Sequence, residues 1–557
     1  MSAAEKSGPA RVVVVGSGHN ALVAACYLAR DGVDVEVVER DEVLGGAVST
    51  VERFPGYPMD RGSSAHIMFR WTGIAEELAL DRYGLRYVDC DPWGFHPVPG
   101  APGGGITFSV DLDATCTSIE AVCGSRDADA YRAFVHDWSA RNENVFTAFN
   151  APPTGASLGR ALWGTGRQTG LPGLELARQF LAPADALLDS LFDSEHLKTA
   201  LSWLGAQSGP PTSEIATADL VGWNTLLHRR PPGRAVGGSG ALTAALRRRL
   251  EADGGRVRLG DGAASIEVRS GRATAVVTDS GERLAADAVV AGCHVLTTYD
   301  LLGDAIDTAE QERVRRTVRV GNGLGMVVRL GTTALPVYPD APPEVNAGLV
   351  LATSSRVALR RAYGDFLAGE PPREPAALGM AFSYLDPGLA PAGRHNVTVW
   401  GQWHPYELAG GQSWDAIRER EGEKLVTALD RFAPGFASSV EHMYVQTPLD
   451  LERELGLRRG NVMHVEMGLD EMFAWRPLPE LAGYRGPVDG LYLCGASTHP
   501  GGGVFGASGR SAARVLLGDR RPSAWRRAVT RVGGTISRNG SGSARSTAGG
   551  ADAAPDR

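Results

Sequence analysis

Apolar and polar positions follow different periods along this chain, and each change of period marks an element. Four consecutive valines after Arg11 suit a strand buried on both faces of a parallel sheet. Ala21 to Ala29 is apolar nearly all round and reads as a buried helix that stops at Gly32. A second apolar run, Val33 to Val38, reads as the next strand. Shorter strand patterns follow at Val257 to Leu259, Ser265 to Val268 and Ala273 to Val277, after a helical stretch from Ala241 to Leu250. Leu491 to Cys494 reads as a short apolar strand, and Ser508 to Leu517 as a helix capped by Ser508 and ended by Gly518. Beyond it, RRPSAWRRAVTRVGG sets Trp525, Val529 and Val532 among arginines, which suits either a solvated, frayed end or a helix lying on a membrane surface. From Ser537 onward the composition is that of a disordered segment.

Gly16, Gly18 and Ala21, between the first strand and helix, fit G-x-G-x-x-G/A. The first glycine permits a tight turn, the second lets a pyrophosphate approach the backbone, and the third position allows close helix–strand packing. Glu39 closes the second strand 23 residues after Gly16, where a carboxylate holds a ribose hydroxyl. The glycines alone are a weak signal; strand, glycines, helix, strand and terminal acid in one short unit are a specific one. Glu39 repels the 2′-phosphate of NADP, although Arg40 beside it softens that argument. Gly45 and Gly46 come next, with Ser49 and Thr50 behind. A second glycine pair so near the ribose acid is unnecessary for NAD and resembles a flavoprotein signature. Gly237-Gly238-Ser239-Gly240 follows two prolines and reads as a turn, so no second dinucleotide unit is expected.

Near the C-terminus, THPGGGVFGASG places a glycine loop between a strand and a helix start, a natural site for an anion or dipole. A late strand can lie beside the first in a doubly wound sheet, so one flavin is expected to be held from both ends of the chain.

Composition narrows the class. A chain of 557 residues with 43% apolar residues implies two globular domains or one elaborated one. The net charge of −8 argues against a nucleic-acid partner. Six scattered cysteines without a CxxC pair suggest reduced thiols, with no metal site. No apolar run is long enough to span a bilayer and MSAAEKSGPA lacks a signal core, so the expectation is a cytoplasmic protein, at most peripheral at a membrane.

The segments VVGSGHNALVAACYLA, VVER, LGG, GGSGALTAAL, GNVMHVEMGLDEMFAWRPLP and LYLCGASTHPGGGVFGASGRSAA together resemble the phytoene desaturase family of FAD-dependent oxidoreductases. The resemblance implies an α/β fold: a discontinuous Rossmann-like FAD-binding domain (11–80, 237–300 and 481–520) with an inserted α+β substrate domain (81–236 and 301–480). Residues 521–557 form a basic and then disordered tail. It places Gly16, Gly18 and Ala21 at the pyrophosphate, Glu39 at the ribose with Arg40 beside it, and Gly45 and Gly46 along the ribityl chain. Ala263 would meet adenine, and Gly495, Gly502, Gly503 and Val504 would approach the flavin. Ala47 stands where many relatives carry an arginine, which puts a charged pyrophosphate contact in doubt. The FAD is expected to be noncovalent, because no histidine or cysteine is obviously dedicated to it.

Two histidines are candidate proton donors or acceptors: His499, which precedes the glycine loop, and His66, which ends DRGSSAH. For each the competing reading is a hydrogen-bonded structural histidine. His464 and Arg476 are weaker candidates, and His19 is expected to pack near the phosphates. Tryptophans concentrate in the substrate segments, where they serve either as core or as the lining of an apolar tunnel. The implied activity is desaturation, reduction or redox cyclisation of a long apolar polyene or isoprenoid, with NADPH, quinone or oxygen as the electron partner. Three alternatives stand beside it: amine oxidation; a non-catalytic flavin-bound assembly protein; and a reductive, ring-forming cyclase. The last rests on DRGSSAHIMFR and LRYVDCDPWGF, which resemble members from polycyclic tetramate macrolactam pathways.

Overall fold

The computed structural model describes residues 10–170 and 173–520; the basic segment and low-complexity tail at 521–557 lie outside the described residues. The described residues up to Arg514 fall in one compact unit and Val515–Arg520 in a second. The valine run forms β1 (Arg11–Val15), followed by α1 (His19–Arg30) and β2 (Asp34–Val38). Three later strands, β3 (Arg256–Arg258), β4 (Ala288–Ala291) and β5 (Leu491–Leu493), join them in a five-stranded sheet ordered β5-β4-β1-β2-β3. All its pairings are parallel, with Val13 opposite Val289 on one side and Glu36 on the other. Both neighbours bury β1, which explains its unbroken apolar run.

Two sequence expectations change here. The late strand β5 pairs with β4, not with β1. Of the three short strands expected together after residue 256, the first is the sheet edge β3. The other two, Ala263–Arg269 and Arg272–Thr278, form a separate antiparallel sheet with Arg283–Ala285.

A seven-stranded sheet is built from segments between Gly94 and Gln446. Next to one edge, Gly325–Thr332 pairs antiparallel with His395–Gln402 on one side and with the edge strand Val440–Gln446 on the other. Helices between Leu112 and Ala206 pack around Trp93, Trp203 and Trp403, while Phe95, Met326 and Trp414 belong to a second apolar core. The final helix, Ala507–Arg520, runs past both ends expected from the sequence. Ser508 lies inside it and does not cap it; its Oγ accepts the Gly495 N–H at 2.9 Å and bonds Thr498 Oγ1 at 2.6 Å.

Candidate functional site

Four strands of the parallel sheet end at one place, followed by Gly16, Glu39, Gly292 and Gly495. Loops diverging from the carboxyl ends of parallel strands leave a crevice between them. Here that crevice is a cavity of about 590 Å³, lined by all four of these residues. Gly16 and Gly495 have φ of +91° and +103°, which only glycine adopts without strain, and α1 begins at the cavity with Gly18 as its cap. A Cβ on Gly18 would meet nothing within 4 Å, and one on Gly46 only the Gly18 Cα at 3.9 Å. These two glycines therefore leave open the space that a pyrophosphate needs at a helix N-terminus. Gly45 has a different reason: its Cβ would lie 2.4 Å from the Val48 carbonyl.

Glu39 is buried at the end of β2. Its Oε2 accepts the Ser17 N–H at 2.7 Å and the Ser17 hydroxyl at 2.9 Å, and its Oε1 accepts the Asp41 N–H at 3.0 Å. Ser17 Oγ in turn accepts the Gly45 N–H at 3.0 Å, which ties the two glycine loops together. Arg40, Gly262, Ala263 and Asp279 continue the wall beyond Glu39. Open glycine faces, an acceptor carboxylate beyond them and a cavity of this size fit FAD in an extended pose.

At the other end Gly495, Ala496, Gly503 and Val504 face Met463, His464 and His294. The His294 and His464 rings stack, with centroids 5.3 Å apart. His294 Nδ1 accepts the Leu296 N–H, so its Nε2 carries the proton and donates to the His464 carbonyl at 2.9 Å. His464 holds a positive φ of +66° and bonds Ser497 Oγ at 3.2 Å. Burial, helped by His294 and Arg476, holds the His464 ring neutral well below the usual range. Burial likewise lowers His19, on the cavity wall, and His294 to about 4. Behind this wall lies Arg476, fully buried, whose guanidinium donates to the carbonyls of Met463, Val465, Glu466, Glu471 and Ala496. It sews the Met463–Glu466 segment to the loop after β5, and burial lowers its pKa to about 9.

Met463 also belongs to a second cavity, of about 710 Å³. Its wall is largely apolar, with Leu324, Tyr363, Phe366, Trp403, Leu469 and Trp475, and carries one charged cluster. There Arg319 bonds Glu471 Oε1 at 2.7 Å and Asp470, with Glu466 Oε2 at 3.7 Å. Burial raises the Glu466 carboxyl above the usual range. Trp475 and the core residue Trp403 line this cavity, whereas Trp93, Trp138 and Trp203 belong to the core without reaching its wall.

Gly16, Gly18, Glu39, Arg40, Gly45, Gly46, Ala263, Gly495, Gly503 and Val504 all line the smaller cavity, as do His19 and His464. Four residues are placed differently. Ala21 lies beneath the site, where a Cβ on Gly292 would come within 2.5 Å of its own, so it sets helix–strand packing and not a pyrophosphate contact. Gly502 seats Met463, whose Sδ would lie 2.2 Å from a Cβ there. His499 lines neither cavity: its ring packs against Phe149 and Phe473 and its Nε2 bonds the Ala148 carbonyl at 3.0 Å. His66 also lies off both walls, fully buried, with Nδ1 on Tyr87 Oη at 2.7 Å and Nε2 on Ser239 Oγ at 2.8 Å. The sequence reading missed Met463, His294, Arg319 and Glu466. His294 alone had a signal, sitting two residues after the glycine that ends β4.

Residues 14–78 match the NAD(P)-binding Rossmann-like domain, and residues 174–517 match the flavin containing amine oxidoreductase family. A rat protein, pyridine nucleotide-disulfide oxidoreductase domain-containing protein 2, is 31% identical over 91% of this chain and 93% of its own. Hydroxyneurosporene desaturase of Cereibacter sphaeroides is 26% identical, covering 91% of this chain and 98% of its own. Among solved structures, an oxidoreductase from Methanosarcina mazei superposes with a TM-score of 0.62, covering 91% of this chain and 99% of that one. At 17% identity that likeness is one of fold. The chain belongs to the flavin containing amine oxidoreductase family and is a phytoene desaturase-like, FAD-dependent oxidoreductase.

Proposed function

We propose that this oxidoreductase forms or reduces carbon–carbon double bonds in a long apolar polyene or isoprenoid. One observation carries the reading: a largely apolar cavity of about 710 Å³ adjoins the cofactor cavity, with Met463 in the wall of both. Bound FAD supplies the two-electron acceptor or donor. The chain supplies position and exclusion of water. Gly18 and Gly46 would admit the pyrophosphate, Glu39 would hold the ribose, and Tyr363, Phe366 and Trp403 would form an apolar wall for the substrate. The electron partner is NADPH, a quinone or oxygen. Anaerobic mixing, followed by flavin absorbance, tests the reading. Bleaching by a polyene means desaturation; bleaching by NADPH with recovery on adding the polyene means reduction or cyclisation. No change with either, across polyenes of graded length, overturns it.

Glu214, Glu466 and Asp470 on the cavity wall favour a second reading, oxidation of a cationic amine with an apolar body. Release of hydrogen peroxide from such an amine, lost in Glu466→Gln, would support it.

A further inference from the structure

Arg329 stands on the strand Gly325–Thr332, 1% exposed, directly opposite Thr398 in the neighbouring strand. Among the described residues its guanidinium makes one hydrogen bond, from Nη1 to Thr398 Oγ1 at a long 3.4 Å, and its Nε has no partner. Burial lowers its pKa to about 10, opposed by Asp60 and deepened by Arg53 and Arg234, so it stays charged at neutral pH. Asp60 does not balance it, because that carboxylate already pairs with Arg234 and accepts the Thr50 hydroxyl and the Ser239 N–H at 2.7 Å each. Arg53 is balanced separately, by Glu454 at 2.6 Å. Three guanidiniums therefore meet two carboxylates, and one buried positive charge is left over.

One hydrogen bond away, across Thr398, is a void of about 10 Å³, room for one water or one monatomic ion. It lies between the seven-stranded sheet and the hairpin of Thr50–Phe54 and Tyr57–Asp60. Asp60, Ser64, Arg234, Asn396 and Thr398 stand in its wall, and apolar side chains close the rest. Arg234, 2% exposed, donates from Nη1 to Asp60 and to the Ser64 carbonyl, and its Nε is left without a partner. Thr398 accepts from Arg329, so its own hydroxyl proton is available, and Ser64 brings a second hydroxyl. Asn396 offers nothing more, since its amide donates to the Pro58 and Leu389 carbonyls.

We propose that this void binds one chloride ion, held by Arg234, Ser64 and Thr398, whose charge balances Arg329. An uncompensated charge inside a protein is strongly destabilising, and guanidinium and hydroxyl donors around a space of one atom's size are the chemistry that recognises a halide. A water fills the space but leaves the excess charge, and a sulfate or phosphate exceeds the volume. The ion joins the hairpin that follows Gly45 and Gly46 to the large sheet, so it acts on stability, whichever substrate the enzyme takes.

Full-length FAD-loaded protein, dialysed into gluconate, is titrated with chloride at constant ionic strength and followed by thermal unfolding and by broadening of the chloride NMR line. A saturable rise in unfolding temperature with matching line broadening is expected, reproduced by bromide and absent with sulfate. Thr398→Val, which keeps the shape and removes one donor, should weaken chloride at least about fivefold. Arg329→Met should abolish the response and, in gluconate, unfold no lower than the unsubstituted protein, because it removes the unbalanced charge. Arg394→Met, at an exposed arginine paired with Glu441, should keep the full response. Three results would overturn the proposal: no saturable chloride response; an equal response to sulfate; or wild-type chloride affinity in either Thr398→Val or Arg329→Met.

Discussion

Glu39 shows how a single side chain can be divided between the fold and the ligand. A carboxylate offers about four lone-pair directions, and Ser17 and Asp41 occupy three of them. Glu39 also stands in the wall of the cofactor cavity. Glu39→Ala should weaken FAD by about 1–3 kcal/mol, read by titrating apoprotein with FAD; unchanged affinity would remove the ribose assignment. Arg476 has a larger task, since its one guanidinium satisfies carbonyls from five residues. A lysine reaches fewer of them, so Arg476→Lys should cost about 3 kcal/mol or more, because truncating a buried charged group orphans its partners. Thermal unfolding in the FAD-loaded and apo forms measures this, with FAD retention falling in parallel. His499 was legible as a residue beside the glycine loop, but chain adjacency does not fix the direction of a side chain. Here the ring turns away, toward Phe149 and Phe473. His499→Phe should therefore keep turnover within severalfold and lower stability by about 1–3 kcal/mol, the cost of the orphaned Ala148 carbonyl. A hundredfold loss of turnover with a normal flavin spectrum would return His499 to the chemistry.

At the scale of elements, the β1-α1-β2 unit was legible because it is local: its turn, helix and acid all lie within thirty residues. The seven-stranded sheet was not, since it joins Gly94–Pro97 to Leu349–Ala352 and no local pattern announces so distant a pairing. The same limit hid which strand β5 joins. Gly509 illustrates a contact between elements that only the fold reveals. A Cβ there would lie 1.9 Å from the Asn20 carbonyl in α1, so the last helix crosses the first at van der Waals contact. Overpacking such a crossing costs about 1–3 kcal/mol and forces the helices apart. Gly509→Ala should thus lower the unfolding temperature and weaken FAD together, while Gly518→Ala, with nothing within 4 Å, should do neither.

Across the whole molecule, burial has left many histidines uncharged. Burial lowers His96, His228 and His499 to about 4 and His66 and His404 to about 3, all outside the cofactor cavity wall. Their unfolded value is near 6.5, so below it the unfolded chain binds protons that the native protein refuses. Stability is then complete above about pH 6.5 and falls as pH drops toward 4. Each histidine contributes up to about 1.4 kcal/mol per pH unit in that window. Thermal scans of the FAD-loaded protein should show a steep loss of melting temperature between pH 6.5 and 4.5; a flat profile would mean that these rings reach solvent.

The cofactor cavity takes part of its lining from residues 15–48 and another part from Met463–His464 and Gly495–Val504. A ribosome makes those parts in order, with most of the chain between them. Until Val504 has been made, the polypeptide therefore exposes a half-built groove that lacks the late part of its lining. Loading has to follow synthesis of that loop, and a nascent chain cut short before Leu491 would leave an open gap in the cavity.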